Sequence, residues 1–371
     1  MTTRTSEPPT TEPTPPAAGL RGGGFHTLTV ARVDRLTEDS VAVTFDVPDE
    51  LRAAYAFSAG QSLALRRVID GVEERRSYSI CAAVGERPRI GVREVPGGTF
   101  SRWLVREVRS GERIEVSTPT GGLRADPAAG GRHLCIAAGS GITPLLSITA
   151  SVLANPDAHV TLLYGNRTTS SVMFAEELAD LKNRYGPRFQ LVHVLSREPR
   201  DVELFTGRLD PDRLRRLLTT LVPLPAVDHV WLCGPFEMVT GAQEVLAALG
   251  VRRELIHREL FFVDVPPPPL HHPDPAVEGV TSEVTVVLDG RVTTAVSSRT
   301  TSVLEAAQQT RSDLPFACKG GVCGTCRAKV QEGEVEMVRN YALEPTEVAE
   351  HVVLTCQSFP VTERVTVDYD A

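Results

Sequence analysis

The chain has 371 residues, 42% of them hydrophobic and 23% charged, as expected for a globular protein of two or three domains. No run of eighteen apolar residues is present, so no membrane span is expected. The net charge is −8 and no basic face stands out, which excludes a nucleic-acid partner. Residues 282–371 hold 13 acidic and 8 basic residues; this acidic end either guides docking to a basic partner or is a solvated surface.

Residues 1–24 form a segment rich in Thr, Pro and Gly that lacks the apolar core of a secretion signal. We expect a disordered tail there. The seven cysteines are an odd number, which argues against a secreted disulfide scaffold. A cytoplasmic location is therefore expected, where clustered thiols usually bind metal or take part in catalysis.

The region 25–128 is predicted to be a small antiparallel β-barrel. Short stretches alternate polar and apolar residues, as half-buried strands do, and Gly, Pro and Asp separate them. The predicted strands are 27–33, 40–47, 61–66, 76–81, 89–95 and 113–117.

The region 129–263 alternates strands with helices, which predicts a doubly wound parallel sheet. The predicted strands are 133–138, 160–164, 190–195 and 229–233, and the predicted helices are 176–185, 210–221 and 237–249. After the first strand, Gly139 and Gly141 let the backbone approach a pyrophosphate at a helix N-terminus. Thr143 can cap that helix. A plain strand-to-helix turn is the alternative.

Residues 264–281 contain six prolines within twelve residues, which predicts a semi-rigid linker. The C-terminal region 282–371 holds the cysteine pattern C-x4-C-x2-C followed by a remote fourth cysteine. This spacing is typical of a plant-type [2Fe–2S] cluster, whereas zinc sites usually pair their thiols as two C-x2-C units. Zinc or metal-free thiols remain alternatives. The candidate ligands are Cys318, Cys323, Cys326 and Cys356.

The region 282–371 resembles the plant-type ferredoxin fold, a β-grasp. A hairpin of strands 283–288 and 291–297 is predicted around the Asp-Gly turn at 289–290. A helix at 302–310 and strands at 327–331 and 351–357 complete the pattern. Gly320, Gly321 and Gly324 are expected to permit unusual φ angles, so that backbone N–H groups approach the cluster sulfurs.

Two stretches of the barrel region, RSYS at 76–79 and GGTFS at 97–101, precede the GSGITP turn in an order that resembles the ferredoxin–NADP reductase family. The resemblance implies a site for FAD on the RSYS strand, which includes Ser77. Arg76 would pair with the pyrophosphate, Tyr78 would lie against the isoalloxazine and Ser79 would lie near flavin N5. Further donors to the pyrophosphate would come from Gly97, Gly98 and Ser101.

The same resemblance places the nicotinamide beside Cys233, Gly234 and Pro235. Buried packing is the other role open to Cys233. Candidates for the adenosine 2′-phosphate are Arg167, Ser196 and Arg197. Because a 2′-phosphate needs cationic donors and the stretches 164–167, 195–197 and 233–235 contain no acidic residue, NADPH is favoured over NADH. Glu259 and Phe261 match a family position near the flavin.

The order of the domains, reductase first and ferredoxin last, resembles oxygenase reductases. The stretches 25–30, 137–144, 314–323 and 340–345 resemble the reductase components of phenylacetyl-CoA epoxidases. This resemblance implies a separate di-iron oxygenase partner that epoxidises phenylacetyl-CoA. A Rieske ring dioxygenase or a steroid hydroxylase is the alternative partner. The chain holds a single Glu-x-x-His pair, at 254–257, whereas a carboxylate di-iron site needs two.

Overall fold

The computed structural model describes residues 24–69, 72–262, 279–311 and 313–371. The predicted tail lies outside these residues except for Gly24, and so does the predicted linker except for 279–281. Within the described part of the chain, no helix is both long and apolar enough to cross a membrane. The described residues form three large sheets that follow one another along the chain, and a fourth sheet of two strands. The barrel and the C-terminal sheet each pack on a hydrophobic core of their own, whereas one of the two cores of the parallel sheet also includes barrel residues.

The first sheet forms the barrel, whose six strands are antiparallel in the order β4-β3-β6-β1-β2-β5. A bridge between Ile80 and Ile90 joins the two ends of this order. In its first strand, buried Leu28 and Val30 alternate with exposed threonines, which is the pattern that predicted the strand. Its elements are β1 (Phe25–Thr37), β2 (Ser40–Asp46), β3 (Ser62–Ile69), β4 (Val72–Ser79), β5 (Arg89–Arg93), α1 (Thr99–Arg106) and β6 (Arg113–Ser117).

The second sheet forms the parallel-sheet domain, in which five parallel strands lie in the order β11-β10-β7-β8-β9. Helices α2 and α3 pack into one core cluster and α4 and α5 into another, so both faces of the sheet are covered. Its elements are β7 (Gly131–Ala138), α2 (Ile142–Val152), β8 (Ala158–Asn166), α3 (Ala175–Tyr185), β9 (Phe189–Leu195), α4 (Pro211–Leu221), β10 (His229–Pro235), α5 (Phe236–Ala248) and β11 (Ile256–Phe262).

The third sheet forms the C-terminal domain, a mixed five-stranded sheet in the order β13-β12-β18-β14-β16 with a separate β15-β17 pair. Asp289 and Gly290 both have positive φ angles and close the predicted hairpin. The elements are β12 (Thr281–Leu288), β13 (Arg291–Ser298), α6 (Val303–Gln308), β14 (Arg327–Glu332), β15 (Val335–Met337), α7 (Pro345–Ala349), β16 (Val352–Leu354), β17 (Ser358–Pro360) and β18 (Arg364–Asp368).

The predicted fold class is therefore confirmed, with one wrong element near the C-terminus. The predicted strand 351–357 ends as β16 at Leu354 and continues as a 3₁₀ turn at Thr355–Gln357. The backbone N–H and the hydroxyl of Thr355 both donate to the carbonyl of Cys326, at 3.1 and 2.9 Å. This double contact turns the chain and brings Cys356 towards the cysteine loop.

Candidate functional site

Strand β4 presents different side chains on its two faces, because successive residues of a strand alternate. Arg76 and Tyr78 share one face, and the Tyr78 ring lies 6.3 Å from the ring of Phe100 in α1. Arg76 is exposed and forms an ion pair with Glu74 at 2.7 Å. Burial raises the pKa of Tyr78, so its hydroxyl stays neutral.

The turn before α1 brings backbone donors close together. Gly97 has a φ of 75°, and a Cβ on Gly98 would lie 2.9 Å from Ser101 Oγ. That hydroxyl already accepts the backbone N–H of Val95 at 3.0 Å. Helix α1 begins at Thr99 with Gly98 as its N-cap, and no side chain caps it. The absence of a Cβ at Gly98 keeps open the space in front of the uncapped N-terminus of α1. Such a space suits a phosphate group.

The carboxyl end of β4 contacts the parallel-sheet domain. Ser79 Oγ donates to Glu259 Oε2 of β11 at 3.0 Å. Burial raises the pKa of Glu259 to about 7, and the Ser79 hydrogen bond opposes this shift. Ser77 donates to Ser62 Oγ of β3 at 3.2 Å, within the barrel. Ser79 therefore joins the predicted flavin strand to the edge of the parallel sheet.

Cys233 lies beside Glu259, because the two residues are paired in register on β10 and β11. Its side chain is fully buried within a core cluster. Burial raises the pKa of Cys233 well above its usual value, and the Glu259 carboxylate raises it further. The thiol is therefore protonated at neutral pH, which fits a packing role for the side chain and a site role for the backbone.

The two glycine turns of the parallel sheet touch each other. A Cβ on Gly141 would lie 2.2 Å from the carbonyl oxygen of Cys233. Gly139 has a φ of 56° and its carbonyl accepts the Tyr164 hydroxyl at 3.0 Å. Gly234 has a φ of 158° and would place a Cβ 2.6 Å from Met238 Cε. Only glycine fits at Gly141, so backbone meets backbone where these two turns touch.

The predicted capping role of Thr143 is wrong. The N-cap of α2 is Gly141, without a side-chain cap. Thr143 lies inside the helix, is fully buried, and donates its hydroxyl back to the carbonyl of Ser140 at 3.1 Å. Of the other residues at this edge, Pro235 is exposed as the N-cap of α5, and Phe261 packs partly buried against a core cluster.

The turns after β8 and β9 lie side by side. The backbone N–H of Arg197 donates to the carbonyl of Arg167 at 2.8 Å, and that of Ser196 donates to the carbonyl of Asn166 at 2.9 Å. Both arginine side chains are exposed. Two guanidinium groups therefore share the carboxyl edge of the sheet, where open α/β sheets bind their ligands.

Two residues at this edge were missed from the sequence. Glu198 follows Arg197 directly, and its carboxylate accepts the N–H and the hydroxyl of Thr169, both at 2.7 Å. Asn166 is 7% exposed, and its amide lies beside the Tyr164 hydroxyl but makes no hydrogen bond of normal geometry among the described residues. A buried amide with spare hydrogen-bonding capacity at this position fits a site that a polar ligand completes.

The backbone of the cysteine loop, residues 318–326, donates hydrogen bonds to a cysteine sulfur of the same loop. The backbone N–H groups of Gly320 and Cys323 donate to Cys318 Sγ at 3.3 and 3.4 Å. Gly321 and Gly324 have positive φ angles, as expected. The same expectation for Gly320 is wrong, because Lys319 (φ 49°) takes the left-handed conformation instead.

The four predicted cluster ligands lie in one region as two thiol pairs. Cys318 interacts with Cys323, and Cys326 interacts with Cys356. The pKa of Cys318 is lowered, chiefly because the Cys323 thiol donates to it. In the described part of the chain, no group of three or more His, Cys, Asp or Glu side chains could hold a single metal ion. Two pairs fit a centre of two irons with two thiolates each.

A cavity of about 1020 Å³ lies between the three domains. Its lining includes Ser62 and Arg75 from the barrel, Glu259 from the parallel-sheet domain, and Cys323 and Tyr341 from the C-terminal domain. The cysteine loop and the Ser79–Glu259 contact therefore border one shared space. Arg75 was not predicted as a site residue, although strand alternation places it opposite to Arg76.

Comparison with known families finds a match for the barrel, for the parallel-sheet domain and for the C-terminal domain. An oxidoreductase FAD-binding domain matches residues 27–124, an oxidoreductase NAD-binding domain matches residues 135–244, and a 2Fe–2S iron–sulfur cluster binding domain matches residues 286–361. A component of the 1,2-phenylacetyl-CoA epoxidase from Escherichia coli K12 is 44% identical over 94% of this chain and 98% of its own length.

The chain belongs to the family of flavin and iron–sulfur oxygenase reductases. The ferredoxin reductase component of 3-ketosteroid-9-alpha-monooxygenase from Rhodococcus rhodochrous is also similar, at 32% identity over 92% of this reductase and 96% of that protein. The solved structure of phthalate dioxygenase reductase matches with a TM-score of 0.60 and 22% identity, covering 93% of this reductase and 98% of that chain. It shows the same fold.

These findings confirm the predicted FAD and [2Fe–2S] domains and a nicotinamide-nucleotide domain. They also confirm an electron-transfer component that serves an oxygenase. The lone Glu-x-x-His pair agrees with a separate oxygenase. Glu254 lies in a 3₁₀ turn and His257 lies in β11, where the ring centres of His257 and Trp231 are stacked 4.4 Å apart.

Proposed function

We propose that this reductase takes electrons from NADPH and delivers them, through FAD and a [2Fe–2S] cluster, to a di-iron oxygenase that epoxidises phenylacetyl-CoA. The observation that carries the proposal is the shared space between the domains. The Ser79–Glu259 hydrogen bond lies on one side of it and the Cys323 loop on the other. The relative named for phenylacetyl-CoA epoxidase supports the choice of partner. We place this chemistry in the cytoplasm, where the four thiols stay reduced for cluster assembly.

FAD, when bound, supplies the step that the other two groups lack, because a nicotinamide gives two electrons together and a [2Fe–2S] cluster accepts one at a time. The chain's own residues hold the partners of this exchange. Arg76, Gly98 and Ser101 would bind the pyrophosphate, with the free N–H groups of α1. Tyr78 would lie against the flavin ring on the face of β4 that also meets Phe100.

The nicotinamide side of the site is assigned to the touching glycine turns. The backbone at Gly141 and Cys233 would form the floor against which the nicotinamide lies. Ser79 would hold Glu259 in place through its hydroxyl. Because the pKa of Glu259 is raised to about 7 by burial, its carboxyl exchanges a proton close to neutral pH. Pro235 and Phe261 would border this pocket.

The preference for NADPH is supported by two exposed arginines in adjacent turns. Arg167 and Arg197 would both bind a 2′-phosphate, together with Ser196, which precedes Arg197 in the second turn, and guanidinium groups bind phosphate well. Glu198 lies beside them, but its carboxylate is already bound by Thr169. These hydrogen bonds lower the pKa of Glu198, so its carboxylate stays ionised. The two guanidinium groups still outnumber this one negative charge, which is why we favour the 2′-phosphate.

A second candidate is the same electron path serving a different oxygenase. It is favoured by the 32% identical reductase component of 3-ketosteroid-9-alpha-monooxygenase. A ring dioxygenase or steroid hydroxylase with a Rieske centre is the kind of partner meant. The two candidates share every residue assignment in this chain and differ only in the protein that receives the electrons.

The deciding experiment mixes the cofactor-loaded reductase and NADPH with each oxygenase and its substrate. Epoxide formed from phenylacetyl-CoA, in proportion to the NADPH consumed, is the expected result. Coupled product from a Rieske partner, with none from the epoxidase, would overturn the assignment of partner. Failure to reduce cytochrome c or any other artificial acceptor with NADPH would overturn the electron path itself.

A further inference from the structure

Arg75 connects the barrel to the C-terminal domain. It lies in β4, next to Arg76, yet only 3% of its surface is exposed. Its Nη1 donates to the carbonyl of Leu314 at 3.0 Å, and its guanidinium lies 4.1 Å from the ring of Phe316. Leu314 and Phe316 lie just before the cluster ligand Cys318. One side chain of the flavin strand therefore holds the segment that enters the cysteine loop.

The buried cation has partners on several sides, although burial still lowers the pKa of Arg75 and the Glu73 carboxylate offsets only part of that shift. Glu73 of the same strand accepts from Arg75 Nε and forms an ion pair with Nη2, both at 2.7 Å. The ring of Phe25, in the barrel, lies 5.0 Å from the guanidinium. Burying an unpaired charge is expensive, so a guanidinium placed here with partners on several sides marks a defined geometry rather than a solvated surface arginine.

The position of Arg75 relates the two redox sites to each other. Strand alternation puts Arg76 and Tyr78 on the face that the proposed function gives to FAD. Arg75 lies on the opposite face, one residue away, and contacts the cluster loop. A shift of the C-terminal domain at this contact would change the separation between the flavin strand and Cys318.

We propose that Arg75 is a positioning residue that fixes the cluster loop against the flavin strand for electron transfer between them. It touches neither redox group and acts through Leu314 and Phe316. The proposal rests on the electron order of the proposed function, in which NADPH reduces FAD and FAD reduces the cluster.

A second contact joins the C-terminal domain to the parallel-sheet domain, and it is more exposed to solvent than the Arg75 contact. Glu344 of the C-terminal domain forms ion pairs with Arg253 and Arg258 of the parallel-sheet domain. The side chains of Glu344 and Arg253 are 36% and 70% exposed, whereas that of Arg258 is 20% exposed. The Arg253 pair therefore contributes little and is screened by salt, and the half-buried Arg258 pair is the stronger of the two. Phe236 and Tyr341 add an edge-to-face contact at 5.3 Å. The buried Arg75 contact is therefore expected to control the docked position of the loop.

The test compares Arg75→Met with Arg67→Met in the holoenzyme. Arg67 is the matched control, because it lies on the neighbouring strand and stacks on Trp103 at 4.3 Å, within the barrel. Ferricyanide reduction, which draws electrons from the flavin, should stay unchanged in both variants. Cytochrome c reduction, two molecules per NADPH, draws on the cluster and should fall by about tenfold or more in Arg75→Met alone.

A structural readout accompanies the kinetics. Small-angle X-ray scattering of the holoenzyme should show a larger radius of gyration for Arg75→Met than for Arg67→Met, because the C-terminal domain then keeps its contacts through Glu344 and Tyr341 but is docked less tightly. Arg75→Lys should recover part of both signals, since it keeps the cation but loses the planar fork. Phe316→Leu changes the partner of Arg75 in the C-terminal domain and leaves the barrel intact. It should show the same defect, and it replaces Arg75→Met as the test if that variant does not retain FAD.

The outcomes separate this proposal from the proposed function. Normal cytochrome c reduction and an unchanged radius of gyration in both Arg75→Met and Phe316→Leu would overturn the role of Arg75. The wild-type reductase would still bleach its flavin with NADPH in that case. A wild-type protein whose flavin is not reduced by NADPH would instead contradict the proposed function.

Discussion

Ser79 of the barrel and Glu259 of the parallel-sheet domain are joined by a hydrogen bond of 3.0 Å. Ser79 ends the strand assigned to the flavin, and Glu259 is paired in register with Cys233 at the edge assigned to the nicotinamide. One hydroxyl thus links the two halves of the reductase. The contact also keeps a carboxyl group in a buried position where its charged form is disfavoured.

The first prediction follows from the raised pKa of Glu259. Its folded pKa is about 7, above the usual 4.5, because of burial. Stability from the neutral carboxyl is present below pH 4.5 and is lost as the pH rises to about 7. Glu259→Gln stays neutral, so at pH 8 the variant should exceed the wild type in unfolding free energy by about 1–3 kcal/mol. Urea unfolding followed by Trp231 fluorescence, in a Trp103→Phe background, measures this difference.

The control for this prediction is Glu254→Gln. Glu254 lies just before the same strand, and its side chain is 63% exposed. We expect its unfolding free energy to follow the wild type from pH 5 to pH 8. If Glu259→Gln shows the same difference from the wild type at pH 5 as at pH 8, burial does not control the titration of Glu259.

The second prediction concerns Gly141. A Cβ at this position would lie 2.2 Å from the carbonyl oxygen of Cys233. Because backbone on both sides cannot move away cheaply, Gly141→Ala should destabilise the parallel-sheet domain by about 1–3 kcal/mol and raise the KM for NADPH. Gly122→Ala is the matched control, since a Cβ there meets nothing within 4 Å. Equal thermal stability of the two variants would contradict the tight contact.

The third prediction tests the nucleotide preference. Arg197→Ala removes one of the two guanidinium groups assigned to the 2′-phosphate. A charge-assisted hydrogen bond contributes about 1.5–3 kcal/mol, so the KM for NADPH should rise by about 10- to 100-fold. The KM for NADH should change little. Arg184→Ala, an exposed arginine of α3, serves as the control. Equal losses for both nucleotides would refute the role of Arg197.

The fourth prediction separates the two redox domains. Cys323→Ser removes one thiolate of the pair formed with Cys318. The variant should lose iron and the cluster absorption, while NADPH still reduces the bound FAD at close to the wild-type rate. Stopped-flow absorbance measures the flavin step, and iron analysis measures the cluster. Loss of flavin reduction in a variant that retains FAD would contradict the order of transfer.

The sequence predicts those features that depend on local patterns. Alternation along Leu28 and Val30 indicated a strand, and the cysteine spacing indicated a [2Fe–2S] domain that comparison confirms. The end of the strand before Cys356 was not predictable in this way. It depends on the carbonyl of Cys326, 29 residues earlier in the chain, which accepts two hydrogen bonds from Thr355.

The missed site residues depend on contacts between distant segments. In the sequence, Arg75 is indistinguishable from an ordinary exposed arginine of a strand. Its partner, the carbonyl of Leu314, lies 239 residues further along the chain. Glu198 was overlooked because its partner Thr169 belongs to a different turn. Thr143 looked like a helix cap from its place after two glycines, but the helix begins one residue earlier. Chain order alone does not reveal such pairings.

The most direct test of the electron path is the visible spectrum of the purified reductase, recorded anaerobically before and after NADPH is added. We predict flavin bands together with iron–sulfur absorption, and bleaching of both by NADPH. A colourless protein that contains zinc at Cys318, Cys323, Cys326 and Cys356 would contradict the account.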